Sequence, residues 1–183
     1  TADELELMMT TPLHNARLYI IRDLFLFSCY TGISYGDMCM LTKEDLVTDE
    51  NGTLWIRTSR KKTKVEYEVP LLEVPLHILN KYRDVEPNGK LLPMYCNSDV
   101  NLSLKKIAAI CGIERRIVFR AARHTYATEI TLSHGVPLET VSKMLGHTRV
   151  DTTQIYAKVT DEKIDADTKR LDSKISERFT IAI

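Results

Sequence analysis

From Leu18 to Tyr30 apolar residues recur at helical spacing so densely that the predicted helix is a buried one, covered by the rest of the chain on most of its circumference. Thr31-Gly32 ends it. A chain of 183 residues with 44% hydrophobic composition is long enough to supply that cover within one globular domain.

Most of the remaining pattern is also helical. Leu5 to Leu13, Met38 to Leu41, Leu76 to Tyr82, Val100 to Cys111, Arg120 to Ser133 and Leu138 to Leu145 have helical apolar spacing, with Pro137 at a first turn and Gly146 as a cap. Asp151 or Thr152 is expected to cap a further helix that presents Tyr156, and Asp161 to Phe179 carries a narrow stripe of Ile164, Leu171, Ile175 and Phe179. One segment breaks the period. Leu46-Val47, the turn Asp49-Glu50-Asn51-Gly52, Leu54-Trp55-Ile56 and the alternating Val65 to Val69 predict a small antiparallel sheet. The fold class is therefore α+β, mainly α-helical, with a three-stranded antiparallel sheet at one edge.

Twenty-five basic and 25 acidic residues give no net charge, so the distribution matters more than the sum. Arg57, Arg60, Lys61, Lys62 and Lys64 cluster without an acid between them, and Lys105, Lys106, Arg115, Arg116, Arg120 and Arg123 share a region with only Glu114. One basic face suited to phosphate contact is expected. Cys29, Cys39, Cys96 and Cys111 form no C-x-x-C pair and are expected to be buried reduced thiols rather than metal ligands. No apolar run approaches the roughly 18 residues of a membrane span, and the acidic start is unlike a signal peptide. A cytoplasmic protein without membrane partners is expected.

Three strings carry chemistry: Arg120-Ala121-Ala122-Arg123-His124-Thr125-Tyr126-Ala127-Thr128, Leu145-Gly146-His147, and Asp151-Thr152-Thr153-Gln154-Ile155-Tyr156. Arginine offers a planar, bidentate clamp for phosphate oxygens. Histidine can relay protons near neutral pH, and a tyrosine hydroxyl can form a covalent intermediate. Together they suit attack on a phosphodiester. A lone Tyr on a short helix is usually packing and a lone Arg usually a solvated charge; the order and spacing of the three strings reverse those readings. His124, beside Arg123, is expected to turn into the core.

The strings resemble the tyrosine recombinase (phage-type integrase) family, whose catalytic domain reads R-H-x-[YF]-A-T, then L-G-H, then a nucleophilic tyrosine. The resemblance runs from Leu5 to about Val159. It implies a site-specific recombinase that cuts and rejoins double-stranded DNA through a 3'-phosphotyrosyl link at Tyr156, for integration and excision of a mobile element, with neither metal nor ATP as cofactor. Arg123 would hold the non-bridging oxygens and His147 would bond the phosphate and assist proton transfer. Lys62, in the basic turn, would protonate the leaving 5'-oxygen, with Lys61 and Lys64 close enough to compete. Lys61, Lys64, Ser34 and Arg149 are expected to touch DNA. The family implies a homotetramer on DNA, a monomer when free, accessory DNA-bending proteins as further partners, and a bacterial, nucleoid-associated setting. With Thr1 rather than Met first, residues 1–183 are expected to be the catalytic domain alone, lacking the family's N-terminal core-binding domain. Residues 161–183 would be a tail that docks on a neighbouring protomer or folds onto its own domain.

Two positions depart from the family pattern. Its first motif reads T-G-x-R followed by an acid, whereas this chain has Thr31-Gly32-Ile33-Ser34 with Asp37 at the acidic position. Integrases of bacterial conjugative transposons resemble the chain in this serine, and Arg60 is then the candidate to reach the phosphate from the hairpin. Arg120 stands where His or Lys is usual; it stays protonated, so it can donate but cannot act as a base. These departures leave open a catalytically weakened DNA-binding module, and a relaxing enzyme like a type IB topoisomerase.

Overall fold

The computed structural model describes residues 1–84, 89–157 and 161–176. Helices α1 (Ala2–Thr10), α2 (Ala16–Thr31) and the short α3 (Tyr35–Met38) precede strands β1 (Leu46–Thr48), β2 (Leu54–Ser59) and β3 (Glu66–Pro70). Helices α4 (Glu73–Tyr82), α5 (Asn97–Ile110), α6 (Arg120–Thr125), α7 (Leu138–Met144), α8 (Asp151–Gln154) and α9 (Asp161–Ser176) follow. The expected mainly helical α+β class is what forms.

Helix α2 is the axis of the domain. Asn15 accepts from the Leu18 amide at its start, Gly32 closes its end in the left-handed region at φ 69°, and α4, α5 and α6 pack around it. Ile21, Leu24, Phe27 and Cys29 are fully buried. Two charges are buried with them, and both are partnered. Arg22 donates to the Thr11 carbonyl at 2.6 Å and the Met8 carbonyl at 3.3 Å, while Asp23 accepts from Lys81 at 2.6 Å and the Tyr82 hydroxyl at 2.7 Å.

The sheet has the order β1-β2-β3, antiparallel throughout, with Ile56 opposite Val69 and Thr58 opposite Tyr67. Ile56, Tyr67 and Val69 face the core and Arg57, Glu66 and Glu68 face out, as alternation requires. Helix α7 packs against β3. No helix among the described residues is long and apolar enough to cross a membrane.

Several local expectations change. The segment from Arg120 is not one α-helix: after Thr125 it widens into a π-helical stretch, Tyr126–Thr131, and then a 3-10 turn, Leu132–His134. The Thr131 hydroxyl donates to the carbonyls of Tyr126 (3.1 Å) and Ala127 (2.9 Å), occupying acceptors that the regular ladder would use. Helix α3 begins three residues before Met38 because Ser34 caps it. Neither Asp151 nor Thr152 caps α8; its N-cap is Val150, and Tyr156 lies just beyond its last turn. Cys29 and Cys111 are buried, Cys39 is half-buried and Cys96 is exposed, so burial does not extend to all four thiols. Ile164, Leu171 and Ile175 of α9 are exposed; Phe179 and Pro87 lie outside the described residues.

Gly32 is a packing requirement as well as a cap. A Cβ there would meet the Tyr126 ring and lie 2.8 Å from Cδ2 of Leu145, whereas one at Gly112, also at positive φ (71°), would meet nothing within 4 Å. Replacing Gly112 by Ala is expected to cost about 1 kcal/mol, the backbone penalty alone. Gly32→Ala should cost about 2–5 kcal/mol, because overpacking adds to it. Urea denaturation of both variants checks this, and equal losses would refute the packing argument.

Candidate active site

Arg123 leaves α6 toward the interior rather than toward solvent. Its Nη1 donates to the Gly32 carbonyl at 2.8 Å, and its Nη2 to the Leu145 carbonyl and to Nε2 of His147, the latter at 3.0 Å. It thereby joins the end of α2 to the turn after α7. Burial, reinforced by the facing Arg60, pulls its pKa down to about 10 while Tyr67, Tyr156 and Asp37 oppose that shift. The guanidinium remains charged at neutral pH.

Arg60 reaches the same place from the turn joining β2 and β3. Its Nη1 donates to the Leu145 carbonyl at 3.3 Å, so one oxygen receives two guanidiniums. Asp37, 3% exposed, holds Arg60 from behind with Oδ2 3.2 Å from Nε, a contact without hydrogen-bond alignment that leaves Nε without an aligned acceptor. Asp37 also accepts from the Lys61 amide (2.9 Å), the Ser34 hydroxyl (2.8 Å) and the Tyr67 hydroxyl (3.4 Å). Beside this carboxylate, burial pushes the Tyr67 phenol up and keeps it protonated. Gly146, at φ 61°, lets Arg60 and Tyr67 close over the backbone: a Cβ there would be 2.9 Å from Cγ of Arg60 and 2.9 Å from Cδ1 of Tyr67.

His147 follows that glycine. Because Arg123 can only donate, Nε2 of His147 accepts, and the ring proton sits on Nδ1, 2.8 Å from the Thr153 hydroxyl. Burial and then the charges of Arg123 and Arg60 hold its pKa down at about 4. Tyr156, half-buried, packs its ring at 66° against His124 with centroids 5.2 Å apart, which sets it beside the helix that bears Arg123. Its phenol acts electrostatically on Arg123. His124 is thus exposed rather than turned into the core: on a helix the neighbour of an inward residue is rotated to the side, and here it meets Tyr156.

The structure therefore brings together Arg123, Arg60, His147 and Tyr156. It does not bring in Arg120, which is exposed at the start of α6 and absent from the charges acting on Arg123 or His147. Lys61, Lys62 and Lys64 are exposed around the hairpin tip, with Lys64 at φ 60°, and Lys62 has no ion-pair partner among the described residues. The Ser34 hydroxyl is spent on Asp37. Arg149 is exposed and pairs with Asp151 at 2.6 Å. The basic face is thinner than its sequence, since Glu68 neutralises Arg57 and Glu4 neutralises Arg115. Beside the site, an open groove of about 1160 Å³ runs between the sheet and α7, lined by Trp55, Tyr67, Pro70, Val136, Met144 and His147.

Sequence reasoning missed Tyr67, Thr153 and the carbonyls of Gly32 and Leu145. Only Thr153 left a signal, lying one helical turn before Tyr156. For His147 the expected outcome is an imidazole that stays neutral until about pH 4. The folded value lies below the unfolded value of about 6.5, so the stabilisation is complete above about pH 6.5 and is lost as pH falls toward 4. An NMR titration of wild type, with urea denaturation of wild type and His147→Gln across that window, measures both. A His147 midpoint near 6.5 would contradict two facing guanidiniums.

Comparison with known proteins bears on the family and the fold. The sequence profile described as "Phage integrase family" matches residues 1–163. A tyrosine recombinase of Pseudothermotoga lettingae is 30% identical over 177 residues, covering 92% of this chain and 59% of that protein. The crystal structure of XerA recombinase superposes with a TM-score of 0.71 at 22% identity, over 99% of this chain and 65% of that one. The integrase of the transposon Tn1549, in complex with a circular intermediate DNA, gives 0.68 at 16% identity, over 92% of this chain and 64% of that one. The chain thus spans about three fifths of the length of the curated relative.

Proposed function

The chain belongs to the phage integrase family, and from that premise we propose that it is the catalytic part of a site-specific DNA recombinase, with Tyr156 as nucleophile. The observation that carries the reading is the convergence of Arg60 and Arg123 on the Leu145 carbonyl, with His147 and Tyr156 alongside. Two cations held against one neutral oxygen favour an anion in its place.

A scissile phosphate entering this pocket takes donors from Arg60 and Arg123 on its non-bridging oxygens, where charge grows in the pentacoordinate transition state. The Tyr156 oxygen attacks phosphorus as its proton passes to Nε2 of His147. The 5'-oxygen departs with a proton from the hairpin, where Lys62 is the candidate acid and Lys61 and Lys64 its neighbours. The resulting phosphotyrosine keeps the bond energy, so a 5'-hydroxyl from another strand rejoins the backbone by the reverse steps. Ser34 and Arg149 lie outside the clamp. Arg120, exposed at the start of α6, would donate to DNA rather than exchange protons, because its guanidinium stays protonated. Integration and excision of a mobile element, in the bacterial nucleoid and with DNA-bending partners, is the biological setting this chemistry serves; likeness in fold to a transposon integrase supports it.

The decisive assay uses a pool of nicked duplexes randomised around the nick, which traps the covalent adduct. Wild type should form it; Tyr156→Phe should form none while retaining DNA binding. Arg60→Ala should lose roughly a hundred- to thousandfold in adduct rate, against little change for Arg57→Ala, whose guanidinium is paired with Glu68 on the sheet surface. Equal losses at residues 57 and 60 would remove Arg60 from the clamp, and an adduct with Tyr156→Phe would remove the nucleophile.

Assembly follows from α9. Its exposed Ile164, Leu171 and Ile175 form an apolar stripe without cover among the described residues, suited to a neighbouring protomer in a ring of four on DNA, with the free chain monomeric. Leu171→Glu with Ile175→Glu should leave monomer stability within about 0.5 kcal/mol and lower the tetramer fraction on DNA in analytical ultracentrifugation. A large loss of monomer stability would indicate docking in cis.

A further inference from the structure

Thr153 is fully buried, yet its hydroxyl faces the one histidine of the site, 2.8 Å from Nδ1 of His147. On the opposite ring edge Nε2 lies 3.0 Å from Arg123, a group without any lone pair to offer. One ring nitrogen must then be bare, and it is the one that faces the clamp. The same threonine is tied to the nucleophile through the backbone, since its carbonyl accepts from the Tyr156 amide at 3.0 Å. Thr153 therefore touches the imidazole with its side chain and the tyrosine's turn with its main chain, from a position sealed from solvent.

Resting on the phosphodiester reading of the site, we propose that Thr153 is a positioning residue: by accepting a hydrogen bond from Nδ1–H it acts with Arg123 to hold His147 with its lone pair on Nε2, on the ring edge that faces the clamp and is to receive the Tyr156 proton. An imidazole free in water favours the proton on Nε2, the form that could not take it. Without DNA the lone pair is occupied by Arg123. When a phosphate draws that guanidinium onto its own oxygens, Nε2 is released still unprotonated, because Nδ1 keeps its proton, hydrogen-bonded to the Thr153 hydroxyl. The phosphate charge simultaneously offsets Arg123 and Arg60, the cations that depress the imidazole, and so makes His147 a stronger base at the moment the base is needed. The proton balance closes: the phenol O–H breaks and Nε2–H forms as oxygen bonds phosphorus, and the 5'-oxygen leaves with a proton from the hairpin acid. Tyr67, Asp37 and Tyr156 are the other titratable groups around the clamp, and none of them contacts Nδ1 among the described residues.

The test pairs a spectroscopic reading with a kinetic one. Ring-nitrogen NMR correlations of the whole chain at neutral pH, assigned among its five histidines with His147→Gln, should show His147 protonated on Nδ1 in wild type and in Thr153→Ser. Thr153→Val, which keeps shape and removes the acceptor, should carry a measurable Nε2-protonated fraction that wild type lacks, since Arg123 alone then opposes that form. On the randomised nicked duplexes Thr153→Val should slow adduct formation roughly ten- to hundredfold with DNA affinity unchanged, and Thr153→Ser should stay within a few-fold of wild type. Wild type carrying the proton on Nε2 overturns the proposal whatever the variants do. So does a Thr153→Val rate within twofold of wild type, or a Thr153→Ser rate as low as that of Thr153→Val. If wild type forms no adduct at all, the recombinase reading fails, and the NMR difference between wild type and Thr153→Val still decides whether Thr153 helps to set the tautomer of His147.

Discussion

Everything in the site is arranged around a repulsion. Arg60 and Arg123 donate to the same Leu145 carbonyl, so their charged nitrogens stand within about 6 Å of each other, and at the effective dielectric of a protein interior this costs on the order of 3 kcal/mol. The surrounding fold offsets it. Asp37 faces Arg60, the carbonyl at the end of α2 faces Arg123, and the dipoles of two closing turns, at Gly32 and Gly146, point their oxygens inward. A pocket assembled this way is poised for an anion before one arrives.

The two glycines show how the backbone makes that possible. Each occupies the left-handed region at the end of a helix and each is roofed by a tyrosine, Tyr126 over Gly32 and Tyr67 over Gly146. The turns bring carbonyl oxygens to the guanidiniums; the missing side chains let the rings close down and exclude water. Exclusion matters, because every charge interaction in the clamp strengthens as the local dielectric falls.

What could be read from the sequence is what is written in local periodicity. The dense apolar run became α2, and Leu54-Trp55-Ile56 and the alternating Val65 to Val69 became β2 and β3. The three strings supplied Arg123, His147 and Tyr156 because each role requires one residue type. The Asp37–Arg60 contact was visible only as two separate suspects, since nothing in a linear pattern reports that a hairpin folds back onto the start of α3. His124 was misread by treating neighbours on a helix as facing opposite ways, which holds for strands. The π-helical stretch depends on Thr131, whose choice between solvent and backbone is decided by burial, and the other ring nitrogen of His147 meets Thr153, a threonine indistinguishable by composition from its neighbour Thr152.

The serine at position 34 also acquires a physical meaning. An arginine there would spring from the N-cap of α3, close to the core, and would compete with Arg60 for Asp37. With serine, the carboxylate is capped locally and is left to hold a guanidinium delivered by the hairpin. The same turn carries Lys62, and the Lys61 amide pins it to the other oxygen of Asp37. Arg60 and Lys62 therefore sit on one turn, secured from behind by one buried carboxylate.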